Sequence, residues 1–480
     1  MMWNMLKLNE VNLGLRSDSR RITIFVVYLS LLLDNVLLTM IVPIMPDFLI
    51  NSIRKNEGKS LNNQEYHTSY QVYGLEYIAE GNESIKMPVM QPSLTEMFDA
   101  NSENGRVSLL LSSKALVQLI LNPMVGSITS RVGYPFLLFL GTCILFISAI
   151  VFAFGTGYLA LFLARSFQGV ASSCIGITGM CLVAEKYPNE PSRSKMMGFV
   201  LGSVAVGVLI GYPFGGFMYD FWGKTAPFLV TALFVFIDGA LQFCYSDLKP
   251  TEEKSFPAVG WIQLFSDKRI LLTGGAIGIS TSTIAILEPC LPIWLLQEIK
   301  PKKWQLGTAF IPDSLGYFIG TNSVALIAYQ CRRPTIAVVA MALVGISASL
   351  VPAASTMLQL VVPHFLLGFG IGAVDAALVP LLAALVDTRY STHYGTVYAM
   401  QQISVSLAYF LGPVLGSCLA KAVGFPWMMR IVGFVNIMYC PLLLSSGVLE
   451  EDLLKGMEPQ RRGHRTRSGY EEFSDSNSSD

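Results

Sequence analysis

Residues 22–46 read ITIFVVYLSLLLDNVLLTMIVPIMP, an apolar run broken by Asp34 and Asn35 and closed by Pro43 and Pro46. Coiled as a helix, it rises about 37 Å, more than the roughly 30 Å hydrocarbon layer of a bilayer. It is also far longer than a signal-peptide core, so it is expected to be a retained transmembrane span. Hydropathy windows of about 19 residues find further spans near 107–129, 134–154, 157–183, 196–218, 226–246, 270–297, 305–329, 335–354, 357–386, 394–421 and 425–447. Of the 480 residues 52% are hydrophobic and 14% charged, against about 25% charged in soluble domains, which excludes an ordinary soluble enzyme. The fold class expected is an all-α polytopic membrane protein with twelve transmembrane helices.

Two polar stretches divide the spans. Residues 1–21 form an N-terminal segment, 22–246 a first six-span half containing the long loop 47–106, 247–269 a central loop, 270–447 a second six-span half, and 448–480 a charged, Ser-rich tail that reads as disordered. Lysine and arginine total 33 and so do aspartate and glutamate, so no global field points to nucleic acid. Their distribution is what informs. Arg20, Arg21, Arg131, Lys186, Arg193, Lys195, Lys249, Lys254, Lys268, Arg269, Arg332, Arg333 and Arg389 gather on one side with the tail arginines, against Lys224, Lys302, Lys303 and Lys421 opposite. The positive-inside rule then puts both termini in the cytosol and the loop 47–106 in a lumen or outside. Asn82 in that loop heads an Asn-Glu-Ser glycosylation sequon.

Charges inside apolar spans are costly, about 2.5 to 3.5 kcal/mol at the bilayer centre, and mark pairs or water-lined cavities. The first half carries Asp34, Lys114, Arg165 and Asp238; the second carries Glu288, Asp313 and Asp375. Lys114, Gln118 and Asn122 recur every four residues and form a polar stripe on one helix face. A buried pair or triad of Lys114 with Asp34 and Asp375 is the economical arrangement, with Asp238 and Asp313 peripheral. Acids outnumber cations in the spans, which leaves carboxylates for a proton or a substrate cation. Asp34 followed by Pro43 and Pro46, and Glu288 followed by Pro289 and Pro292, open the two halves alike, as in repeat-built transporters. Gly207, Gly211 and Gly215 recur every four residues in VGVLIGYPFGG, a face that lets another backbone approach.

The motifs LLLDNVLLTMIVPIMP, SSKALVQLILNPMVG, ARSFQGVASSC, GYPFGG with GKTAPF, AILEPCLPIW, KKWQLG, GYFIGTN and VGFPW closely resemble the vesicular amine transporters of the major facilitator superfamily, nearer the monoamine than the acetylcholine branch. The resemblance runs from about residue 20 to 447. It implies two six-helix bundles rocking about a midplane site and proton-coupled loading of a cationic amine into acidic synaptic or secretory vesicles. Carried over residue by residue, Asp34 would bind the ammonium with Asn35 beside it. Lys114, Asp375 and Arg165 would form the proton-coupling and ion-pair network, while Glu288, Asn122, Tyr317 and Tyr409 line the cavity. The chain departs from the family at Gln402, where the family has an acid, at Tyr390, where it has a histidine, and at Thr281, where it has an asparagine. The family's lumenal cysteine pair is absent too. Those departures leave open a different small amine or zwitterion as substrate, and, outside transport, a non-transporting membrane sensor.

No GxxxxGK[ST] loop is present, so ATP does not drive the chain directly, and its four scattered histidines make no metal site. No enzyme activity and no cofactor are expected, the drive being a proton gradient. The expected partners are a small cationic amine, protons and the lipid bilayer. Aromatic faces for a cation are expected at Tyr317, Tyr398 and Tyr409. In the tail, Glu450, Leu453 and Leu454 resemble an acidic dileucine signal, and Tyr470 with Phe473 a tyrosine-based one, both read by clathrin-adaptor-type sorting machinery.

Overall fold

The computed structural model describes residues 20–41, 44, 103–245, 261–299, 301, 308–328, 332–389 and 394–445. Asn82, Glu450, Leu453, Leu454, Tyr470, Phe473 and Tyr390 lie outside the described residues. Helices α1 (Arg20–Ile41), α2 (Glu103–Val132), α3 (Tyr134–Phe154), α4 (Tyr158–Lys186), α5 (Glu190–Trp222) and α6 (Thr225–Tyr245) build the first half. The second contains α7 (Lys268–Glu298), α8 (Ile311–Ile327), α9 (Arg333–Leu350) and α10 (Met357–Arg389), then the helical stretch Gly395–Ser445. Gly424 at φ 80° breaks that stretch, so it is two spans, α11 (395–423) and α12 (425–445). Only a residue without Cβ takes that left-handed corner cheaply. Nine helices among the described residues are long and apolar enough to cross a membrane, one of them this double helix. With α2 and the 17-residue α8 they make up the twelve expected spans.

Helices are the form these sequences must take in lipid, because each backbone N–H and C=O is then satisfied within its own segment. Short polar side chains follow the same rule. Ser30 donates to Val26 O, Asn35 to Leu31 O and Thr39 to Asn35 O, each four residues back along α1. The outer faces stay apolar, with Leu358 81%, Leu159 68% and Val339 65% exposed, as lipid contact requires.

Because water does not drive helices together in lipid, close approach at small residues does. Cβ atoms built on Gly207 and Gly215 would stand 2.7 Å from Leu32 O and 2.7 Å from Met40 Cβ. The four-residue glycine row of α5 is therefore the seat of α1, as its spacing predicts. Between the halves, α2 meets α11 and α5 meets α8 and α10. Both contacts are tightest toward the end that carries Arg131, Arg193 and Arg333, here called the basic end. Ser194 donates to Ala325 O at 3.0 Å, and a Cβ on Gly126 would lie 3.0 Å from Gly395 O. Arg193 pairs with Asp387 at 2.6 Å and Arg333 with Glu190 at 3.0 Å, both arginines being buried. The halves are thus bolted together at the basic end.

Candidate functional site

Asp34 sits in the middle of α1 and is buried. Ser172 of α4 donates to its Oδ1 at 2.6 Å, and Lys114 Nζ of α2 stands 3.5 Å from Oδ2. Gln168 reaches the Asp34 backbone carbonyl at 3.4 Å and accepts from Arg165 Nη1 at 2.7 Å. Three helices thus converge on one carboxylate. The second-turn spacing of Lys114 and Asn122 on α2 carries the polar face onward: Asn122 is fully buried and donates to Ser406 Oγ of α11 at 3.1 Å, across the boundary between halves.

The facing half supplies carboxylates. Glu288 of α7 accepts from Tyr212 Oη of α5 at 2.5 Å, and Tyr212 stacks on Phe310 with ring centroids 6.4 Å apart. Asp375 of α10 accepts from Tyr317 Oη at 2.8 Å, while its Oδ1 is buried with no partner among the described residues. Tyr409 of α11 feels Glu288, Asp313 and Asp375 together, yet keeps 39% of its surface. Arg165 acts electrostatically on both Lys114 and Glu288, so the clusters of the two halves share one field. Four carboxylates, Asp34, Glu288, Asp313 and Asp375, meet two cations, Lys114 and Arg165. Such a surplus of negative charge in an apolar bundle calls for protons or a cationic ligand.

The family model described as Major Facilitator Superfamily matches residues 24–328 and, overlapping, 273–474. The "Synaptic vesicular amine transporter" of Mus musculus is 40% identical over 455 residues, covering 88% of this chain and 87% of that protein. The human "Chromaffin granule amine transporter" is 37% identical, covering 91% and 90%. The chain belongs to the vesicular amine transporters of the major facilitator superfamily. The rat "Vesicular acetylcholine transporter" is 34% identical over 92% of this chain and 87% of its own. The crystal structure of the human organic anion transporter MFSD10 (TETRAN) superposes with a TM-score of 0.70 at 17% identity, covering 88% of this chain and 99% of that one, which shows the fold.

Several residues of this vesicular amine transporter family member stand elsewhere than the sequence suggests. The triad of Lys114 with Asp34 and Asp375 does not form: Asp375 pairs with Tyr317 instead. Asn35 does not face the cluster, because consecutive helical residues diverge by about 100°, and its amide is spent on Leu31 O. Tyr398 is fully buried against Met197 and the Val379 carbonyl, hence core rather than cavity wall. Asp238 and Asp313, alike peripheral by sequence, separate. Asp238 is knotted to Ser30 at 2.6 Å and Gln242 at 2.9 Å inside the first half. Asp313 lies beside Glu288 in the facing half. A sequence signal for it exists, an acid in the first turn of α8 two residues after Ile311, but helix starts favour acids for ordinary dipole reasons, which hides it. Gln402 lies between the halves, its Nε2 2.8 Å from where a Cβ on Gly176 of α4 would stand.

Proposed function

We propose that this protein loads a cationic amine into acidic synaptic or secretory vesicles in exchange for protons, by alternating access between its two halves. The observation that carries the reading is the buried array of four carboxylates and two cations spanning the interface of the halves, in a chain 40% identical to a protein named "Synaptic vesicular amine transporter". A carboxylate that holds either a proton or an ammonium couples the two by mutual exclusion. Asp34 and Asp375 supply such groups, Lys114 and Arg165 set the field, Asn122 bridges the halves, and Glu288, Tyr317 and Tyr409 wall the space. The positive-inside bias supports a cytosolic basic end and a lumenal opposite end. The bolted basic end then belongs to a state closed to the cytosol. The proton gradient is the drive, with no cofactor and no enzymatic step. Asn82 would carry glycan in the lumen, and the tail signals at Leu453–Leu454 and Tyr470 would recruit clathrin adaptors.

The test is radiolabelled dopamine uptake into vesicles carrying the full chain, with and without collapse of an acid-inside gradient. Accumulation that vanishes on collapse and in Asp34→Asn is expected; accumulation that survives Asp34→Asn removes Asp34 from the site. A substrate panel under the same gradient, comparing wild type with Gln402→Asp, identifies the amine class, a gain of monoamine uptake showing that residue 402 tunes the site.

A further inference from the structure

The fold sets Asp313 beside Glu288, in the half that also carries Asp375. It occupies the first turn of α8, and α10 presses against it so closely that a Cβ on Gly368 would lie 2.8 Å from its Oδ1. That oxygen is buried and has no hydrogen-bond partner among the described residues. Glu288 of α7 acts on it directly, and the Tyr317 and Tyr409 hydroxyls lie within its field.

Glu288 of α7 acts on Asp313, and Asp313 in turn acts on Tyr317 of α8 and Tyr409 of α11, which also feel Asp375 of α10; Tyr212 of α5 donates to Glu288. His364 of α10 donates from Nδ1 to Ala309 O at 2.8 Å. Asp375 is itself only 8% exposed, with one oxygen unpartnered among the described residues. The cation acting on Glu288 is Arg165 of α4. Of these three carboxylates, Glu288 feels the Arg165 guanidinium, and all three act on the Tyr409 ring. Like charges so close in an apolar bundle do not all ionise without a counter-cation. At residue 402, α11 presents an amide packed on Gly176, which cannot exchange a proton.

We propose that Asp313, acting with Glu288, is a cation-exchange residue of the transport site. It holds a proton on Oδ1 in the empty carrier and an ammonium group in the loaded one. In the step, the neutral carboxyl gives its proton to water on the side of the basic end while the R–NH3+ group takes its place against the carboxylate, and on the opposite side a proton displaces the ammonium again; no covalent bond to carbon changes. This inference rests on the amine–proton exchange reading for its transport arm only.

Two measurements test it. Purified full-length protein in detergent is examined by infrared spectroscopy across pH, comparing wild type, Asp313→Asn and Asp313→Glu. A protonated-carboxyl band that titrates in wild type, is missing from Asp313→Asn and returns shifted in Asp313→Glu supports the assignment whatever the substrate; bands identical in wild type and Asp313→Asn overturn it. In liposomes, radiolabelled dopamine accumulation under an acid-inside gradient is expected to fall at least ten-fold in Asp313→Asn, with Asp313→Glu restoring it and shifting its pH profile. Unchanged accumulation and pH profile in Asp313→Asn, or a loss that glutamate does not rescue, overturns it. Wild type that accumulates no dopamine counts against the transport reading, and the infrared result then decides the role of Asp313 alone.

Discussion

Removing Lys114 while keeping Asp34 isolates the electrostatics of the site. At 3.5 Å, with an effective dielectric of about 20, the Lys114–Asp34 attraction is about 5 kcal/mol. Lys114→Ala strands a buried carboxylate that keeps only the Ser172 hydroxyl at 2.6 Å, a charged hydrogen bond worth about 1.5 to 3 kcal/mol. The expected loss of stability is about 3 to 5 kcal/mol, the range for breaking one side of a buried pair. Thermal aggregation of purified protein, followed by size-exclusion chromatography, measures it. Asp34→Asn in the Lys114→Ala background removes the stranded charge and should recover most of the loss without restoring transport. A double variant no more stable than Lys114→Ala refutes the pairing argument.

Breaking the bridge between halves by Ser406→Ala leaves the Asn122 amide without its 3.1 Å acceptor and costs about 1 kcal/mol, a five-fold change in the balance between states open to either end, readable by spin-label distances. Gly211→Leu should collapse the yield of folded protein, since a Cβ there would lie 2.9 Å from Val36 O and strike Thr39, whereas Gly216→Leu, with nothing within 4 Å, should fold like wild type. Lys224, in the turn between α5 and α6, donates to Gly155 O, and burial lowers its pKa to about 8 from 10.5. A lysine whose folded-state pKa is depressed costs stability while both states are protonated, below about pH 8, and the cost fades as pH rises toward the unfolded value. The melting temperature of wild type relative to Lys224→Met should therefore rise between pH 8 and 10.5, and a flat difference would contradict the burial argument.

Much of the fold was legible because lipid leaves the chain few options. An apolar run about 20 residues long must be a helix, and the four-residue recurrence of Gly207, Gly211 and Gly215 correctly marks the seat of a close neighbour. What a one-dimensional reading misjudges is which polar residue is spent locally. Asn35 stands next to Asp34 in the sequence and looks like its companion, but a short amide four residues from a free carbonyl satisfies itself within the helix. Asp238 and Asp313 are each single acids in apolar spans, and nothing local separates one knotted to Ser30 and Gln242 from one left beside Glu288. That difference is made by which helices pack together.

By itself, then, the sequence determined the number of spans, the asymmetry of their flanking charge and the excess of acids over cations within them, because hydrophobic length and charge cost are properties of single segments. Tertiary structure alone decided the pairing. It gave Lys114 to Asp34 and Tyr317 to Asp375, turned Asn35 and Tyr398 away, and brought Asp313 to Glu288. The reason is range: charges and hydrogen bonds act over a few ångströms, and residues tens of positions apart on different helices come that close only once the helices have packed.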